Sequence, residues 1–268
     1  MDINAVSDIN LAAITELARH VSEIANLPLP AHAPYVGRSA FTHKGGIHVS
    51  AVTKHPKTYE HIEPEKVGNE RRVTVSELSG ISNLLYKAKD YGVNLKKGSP
   101  EVKKLINTLK EMEHQGYSFE EGEASFELLV KRTLKEVKPF FELVDLKTET
   151  IKHGKKSTFV KAELKLKIGS KTYESTGQGD GPVNALDMAT RKILEVKYPE
   201  IKDVRLTDYK VRVLDSKEGT AAKVRVIIES SDENMVWGTV GVSTNIIEAS
   251  WLALVDSIEY KLVKGTQK

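Results

Sequence analysis

Leu11, Ile14, Leu17, Val21 and Ile24 recur at three- and four-residue steps, which predicts one helix from about Asp8 to Asn26 with a single buried stripe. Ser7 or Asp8 can cap its start, and Pro28 and Pro30 prevent its continuation. A capped helix this close to Met1 would normally pack on something before it, so the pattern predicts a chain that begins inside a larger domain. From Pro28 to about Val67 the chain is rich in Pro, Gly and His and reads as ordered loop with short helices. Arg72 to Val75 predicts a short strand and Glu77 to Tyr91 a helix. Ser99 as N-cap and Pro100 at the first helical position open the next helix. Its stripe is Val102, Leu105, Ile106, Leu109 and Met112, and Gly116 supplies a left-handed stop. Ser118 and Glu121 fit a capping box, and Phe126, Leu129, Val130 and Val137 carry a further helix up to Pro139.

After Pro139 the period changes to two. Val144, Leu146 and Thr148 alternate with charged neighbours, and Val160, Ala162, Leu164, Leu166 and Ile168 alternate with Lys161, Glu163, Lys165 and Lys167. That is a half-buried antiparallel strand with one wet face. Gly169-Ser170 turns the chain into a strand from Lys171 to Thr176, and a helix follows from about Val183 to Val196. The pattern then recurs: strands over Leu206 to Val213, around Val224 to Ile228 and over Val236 to Val240, then a helix from Ile246 to Leu262. Tyr173 and Trp237, Gly177 and Gly241, Ala185 and Ala249, Ala189 and Ala253 align at one constant offset. Two βββα units of this kind indicate internal duplication. The fold class predicted is α+β, with helical subdomains ahead of a duplicated domain. Each unit leaves a sheet face that its own helix need not cover, which predicts pairing of units and of chains.

Charge narrows the function. The 268 residues carry a net charge of only +3, with 29% charged residues of mixed sign, so no clustered basic face for nucleic acid is indicated. The chain has no cysteine, which suits a reducing cytosol, and neither a signal peptide nor an apolar run long enough to span a membrane is visible. The reading is a cytoplasmic protein. Gly177-Gln-Gly-Asp-Gly181 superficially resembles a phosphate-cradling loop, but it follows an antiparallel strand and reads as a tight turn needing positive φ before a helix. His43 and His48 stand five positions apart in a glycine-rich loop, a poor spacing for a shared metal, so no metal site is assigned.

One segment is more specific than any of these. Gly37-Arg-Ser-Ala-Phe-Thr-His-Lys-Gly-Gly-Ile-His48 and Thr58-Tyr-Glu-His-Ile-Glu-Pro-Glu-Lys-Val-Gly68 resemble the stretch just after the catalytic barrel in the isopropylmalate, homocitrate and citramalate synthase family. Asn69-Glu-Arg-Arg-Val-Thr-Val-Ser-Glu-Leu-Ser-Gly-Ile-Ser-Asn83 is most similar to the citramalate branch. Gly179-Asp-Gly-Pro-Val-Asn-Ala185 and Asn245-Ile-Ile-Glu-Ala-Ser250 resemble the two loop-to-helix signatures of that family's regulatory domain.

The resemblance implies three regions: an end-of-barrel helix and linker over 1–67, a helical subdomain over 68–137, and a duplicated allosteric and dimerisation domain over 138–268. It implies that His48 and Tyr59 are catalytic, His48 reaching the active site of a neighbouring chain for proton transfer. It also implies effector-binding residues at Asp180, Gly181, Val183, Asn184, Leu206, Tyr209, Val213, Val242 and Thr244. In the family a divalent metal is held by an Asp and a His-x-His pair on barrel strands. No His-x-His occurs here, so this part is expected to hold no cofactor and to be inactive alone. The implied activity of the intact protein is condensation of acetyl-CoA with pyruvate, with isoleucine as inhibitor of a homodimer. The alternatives are the equivalent part of an isopropylmalate synthase responding to leucine, and a stand-alone amino-acid-binding module.

Overall fold

The amino-terminal apolar stripe folds as two helices, α1 (Asp8–Ala12) and α2 (Ile14–Ala25), with Ala13 between them. Ser7 caps α1 by accepting from the Asn10 amide, and Asn26 ends α2 in the left-handed conformation. The computed structural model describes residues 6–27, 29–73, 81–154 and 158–266, and these form two compact units, 1–99 and 100–268. The stripe is not buried. Leu17 and Val21 are exposed, and Ile24 is 75% exposed. The residue that α2 buries is Thr15, whose hydroxyl donates to the Val67 carbonyl at 2.5 Å.

The rest of the first unit is a loop-rich frame. Strand β1 (Thr42–His43) leads into α3 (Gly46–Lys54), and 3₁₀ turns follow at Pro56–Thr58 and Pro64–Val67. Strand β2 (Arg72–Val73) pairs parallel to β1, placing Arg72 opposite Thr42 and Val73 opposite His43. Helix α4 (Ile81–Asp90) follows; the start expected for it at Glu77 and the end of the strand expected at Val75 lie outside the described residues.

The second unit opens with α5 (Pro100–Gln115), which buries Val102, Leu105 and Leu109 and stops at Gly116, where φ is +109°. The capping box expected at Ser118 and Glu121 does not form. Helix α6 (Glu123–Thr133) starts instead from Gly122, with no side-chain cap, and it ends short of Val137. The 68–137 stretch read as one helical region is thus shared, α4 belonging to the first unit and α5 and α6 to the second.

Both βββα repeats are present. Strands β3 (Glu142–Lys152), β4 (Thr158–Ile168) and β5 (Lys171–Gly179) form an antiparallel sheet packed by α7 (Pro182–Lys197). Strands β6 (Arg205–Val213), β7 (Val224–Ser231) and β8 (Val236–Ser243) form a second, packed by α8 (Ile246–Gly265). The first strand of each sheet carries a register shift near its start, at Leu143/Asp145 and at Leu206/Asp208. A shared core of Leu164, Leu166, Leu186, Leu194, Ile228 and Leu262 joins the two repeats.

The strand–helix contact is built twice in the same way. Ser175 donates to the Ala189 carbonyl at 2.7 Å, and at the same offset Thr239 donates to the Ala253 carbonyl at 2.8 Å. A Cβ on Gly177 would collide with the Ala185 carbonyl, and one on Gly241 with the Ala249 carbonyl. Glycine is needed at both positions because the helix backbone lies directly on the strand.

The second sheet is also covered on its other face. Ser125 of α6 accepts from the Val240 amide at 3.0 Å, and Gly122 packs against the Val240 side chain. Buried charges then tie α6 to α8. Glu127 accepts from Lys131 at 2.6 Å and from Lys264 at 2.7 Å, and Arg132 reaches Glu259 at 2.5 Å and Asp256 at 2.9 Å. Each buried carboxylate here meets a cation, the condition under which buried charge is tolerated. Among the described residues no helix is long and apolar enough to cross a membrane.

Candidate functional site

The first unit carries an open groove lined by Gly45, His48, Lys54, His55, Thr58 and Tyr59 among others. His48 lies in the first turn of α3, which is fixed by the burial of Val49 and Val52. Tyr59 follows the Pro56–Thr58 turn, where its amide and that of Glu60 both donate to the Pro56 carbonyl. The two rings, eleven positions apart in sequence, stack at 4.1 Å between centroids with 25° between planes. Both are exposed to solvent. An imidazole held flat against a phenol, open on one side, is suited to proton transfer to or from a molecule entering the groove.

Behind the groove is a polar network that the sequence did not disclose. Glu60 is 5% exposed. Arg71 clasps it with a two-pronged contact, Nε to Oε1 at 2.7 Å and Nη2 to Oε2 at 2.5 Å. His43 Nε2 donates to the same Oε1 at 3.0 Å, and the His43 ring meets Tyr59 edge-on at 6.4 Å. Burial pushes the Glu60 carboxyl up, but the hydrogen bonds from Arg71 and His43 outweigh it and hold the group below the ordinary glutamate value. His43 is therefore engaged with Glu60 through Nε2. The only signal in the sequence was that Glu60 directly follows Tyr59. Nothing in the spacing pointed to Arg71.

The residues assigned to an effector fall at separate places in the second unit. Asp180, Gly181, Val183 and Asn184 sit together where β5 passes into α7. Gly181 is the N-cap residue of α7 and provides no side-chain cap. Its φ is −147°, an extended conformation open to any residue, and a Cβ there would meet nothing within 4 Å. The positive φ expected at this turn is thus not used. Thr244 stands at the matching junction before α8, where Asn245 fills the cap by accepting from the Ile247 and Glu248 amides. Val213 shares this end of the second sheet, in line with Val224 and Ser243. Leu206 is at the far end of the same strand, roughly 20 Å away at about 3.3 Å per residue. Tyr209 lies between them, its hydroxyl 2.7 Å from that of Ser250 on α8. Val242 is buried on the opposite sheet face, against Gly116.

Among the described residues no three His, Cys, Asp or Glu side chains gather as a metal ion would require.

A twice-built βββα domain that follows a loop-rich, groove-bearing unit in the sequence defines a class. Residues 121–262 match the LeuA allosteric (dimerisation) domain, and residues 35–117 match the homocitrate synthase post-HMGL domain-like family. The chain belongs to the LeuA allosteric (dimerisation) domain family. Its similarity to particular enzymes runs the length of the chain. It is 52% identical over 260 residues to an (R)-citramalate synthase of Aquifex aeolicus, covering 97% of this chain and 49% of that protein. It is 48% identical over 268 residues to the (R)-citramalate synthase of Geobacter sulfurreducens, covering 100% and 51%. The enzyme of that name from Synechocystis is 47% identical, covering 98% and 49%. The chain spans about half the length of these relatives.

Proposed function

We propose that the chain is the carboxy-terminal regulatory part of a cytoplasmic citramalate synthase. That enzyme would condense acetyl-CoA with pyruvate and would be inhibited by isoleucine bound to its duplicated domain, within a homodimer. The observation that carries this reading is the unbroken similarity to (R)-citramalate synthases about twice as long. The exposed apolar side chains of α2 support a further domain packed on that helix, since a continuous apolar face left in water is costly. His48 and Tyr59 would serve proton transfer at the condensing centre. Condensing activity would require the rest of the longer protein, because the family's His-x-His pair is absent from these residues.

Isoleucine is assigned to the α7 junction because the first-turn amides of α7 meet no side-chain cap, whereas Asn245 occupies those of α8. Free amides at a helix start suit a carboxylate. The test is thermal unfolding of the chain with isoleucine, leucine or valine. At a hundredfold excess over Kd, isoleucine should stabilise by about 2.7 kcal/mol, a shift of a few degrees. Gly181→Asp should abolish that shift while keeping the fold, since the extended φ and open space at Gly181 admit aspartate. A wild-type shift in the folded variant would remove the effector from this junction. A response to leucine alone would favour the isopropylmalate branch, and no response to any of the three would remove the regulatory reading. Sedimentation of the chain at micromolar concentration should give a dimer.

A further inference from the structure

The groove holds His48 and Tyr59 in a stacked arrangement that their own elements do not enforce. Tyr59 is 47% exposed and His48 also faces solvent, so little packing restrains either ring. The restraint comes from behind. Tyr59 and Glu60 are consecutive on one short turn, and one side chain is exposed while the other is buried. Anchoring Glu60 therefore aims Tyr59 outward. The anchor is the Arg71 fork, and Arg71 is itself placed by the β1–β2 pairing, where the Arg72 amide donates to the Phe41 carbonyl at 3.0 Å. The same pairing sets His43, on the neighbouring strand, within reach of Glu60. An ionised carboxylate only accepts, so His43 must carry its proton on Nε2, and its ring is fixed with an edge toward Tyr59.

We propose that Glu60, clasped by Arg71, is a positioning residue for the His48–Tyr59 pair and acts through His43. Glu60 locks the His43 tautomer and ring plane, and the His43 edge together with the Glu60 anchor keeps Tyr59 flat against His48. The consequence for chemistry rests on the proposed function above, but the positioning itself can be measured without substrate.

The experiment is imidazole and aromatic NMR of the chain. In the wild type, the His43 signal should report Nε2–H, and cross-peaks should link the His48 and Tyr59 rings. Glu60→Gln removes the charge that Arg71 clasps, and His43→Gln keeps a donor for Glu60 while deleting the ring edge. Both variants should lose those cross-peaks several-fold with the backbone amide spectrum otherwise retained. Wild-type cross-peaks in either folded variant would overturn the proposal, and if Glu60→Gln fails to fold, His43→Gln decides alone. In the full-length protein the same variants should lower kcat, by up to about 10²-fold if the pair is displaced by an ångström, with KM for the keto acid nearly unchanged. Unchanged turnover after His48→Ala would remove the catalytic reading of the groove and leave the ring measurement standing as the test of positioning.

Discussion

In the first repeat, β5 turns Glu174, Thr176 and Gln178 away from α7, and all three are exposed. At the same offset in the second repeat, β8 turns Gly238, Val240 and Val242 away from α8, and all three are buried. The strand–helix sides of the two repeats remain alike, down to the glycine and the hydroxyl that meet the helix backbone. The outer sides have diverged: one stays wet, with cross-strand pairs such as Lys165–Glu174 at 2.6 Å. The other is seated on α6 and on the loop that runs from Gly116 to Gly122. A duplicated unit must keep its own internal contact in both copies, while its second face is free to take a new partner or none. The second repeat is therefore the part that couples the duplicated domain to the helices preceding it.

The largest effect should come from filling the tightest point of that outer contact. A Cβ at Gly238 would collide with the Glu121 carbonyl. Gly238→Ala should therefore destabilise by about 3 kcal/mol, and Gly238→Val by more. Denaturant unfolding followed by tryptophan fluorescence reads this directly, because both tryptophans, Trp237 and Trp251, are buried in the second repeat. An unchanged midpoint would mean that α6 does not seat on β8 as described.

A chemical exchange between the repeats should be asymmetric. Val240→Thr buries a hydroxyl and should cost about 1–3 kcal/mol, whereas Thr176→Val at the matching exposed position should stay within about 0.5 kcal/mol. Equal effects at the two sites would erase the distinction between a wet and a covered face.

The hairpin turns differ too. The β4–β5 turn uses Gly169 at φ +60°, whereas the β7–β8 turn is held by Asp232, which accepts from the Asn234 amide at 2.7 Å, from the Met235 amide at 2.8 Å and from Lys261 at 2.6 Å. Burial raises the Asp232 carboxyl, but these bonds outweigh it and hold the group below its ordinary value of 3.8. Its stabilising contribution is therefore present above pH 3.8 and is lost as pH falls through the lower folded value. Asp232→Ala should cost about 1–2 kcal/mol near neutrality. It should also flatten the loss of stability on the acid side of the fluorescence-monitored midpoint. A variant with the same acid limb as the wild type would take the turn's charge out of the account.

The smallest effects concern the helix starts. Asn245→Ala removes the cap of α8 and should cost about 1 kcal/mol, while Gly181→Asn, which offers α7 the cap it lacks, should gain a few tenths. If isoleucine still shifts the melting temperature of Gly181→Asn in full, the α7 amides are not its carboxylate site.

The strands and helices of the second unit were legible because period two and period 3.6 are properties of neighbouring residues. Val160, Ala162, Leu164 and Leu166 are buried as their alternation requires, and the matched glycines of the two repeats announced the duplication. The 48–59 pair was named from a resemblance carried by the residues around it, and the structure stacks the two rings. Other features were settled elsewhere in the fold. The α2 stripe is apolar by sequence, but a helix face is buried only if something lies on it, and Leu17, Val21 and Ile24 are exposed. Gly122 starts α6 in place of the Ser118 box because the preceding segment is committed to β8, with Glu121 against Gly238 and Gly122 against Val240. Gly181 proved extended and unobstructed, and the close approaches that need glycine fall at Gly177 and Gly179 instead. The Arg71–Glu60–His43 network joins residues eleven and seventeen positions apart. Sequence alone determined which residues could form helices, strands and tight contacts. The tertiary structure decided which of them meet, because burial and ion pairing are set by whatever the chain brings back from a distance.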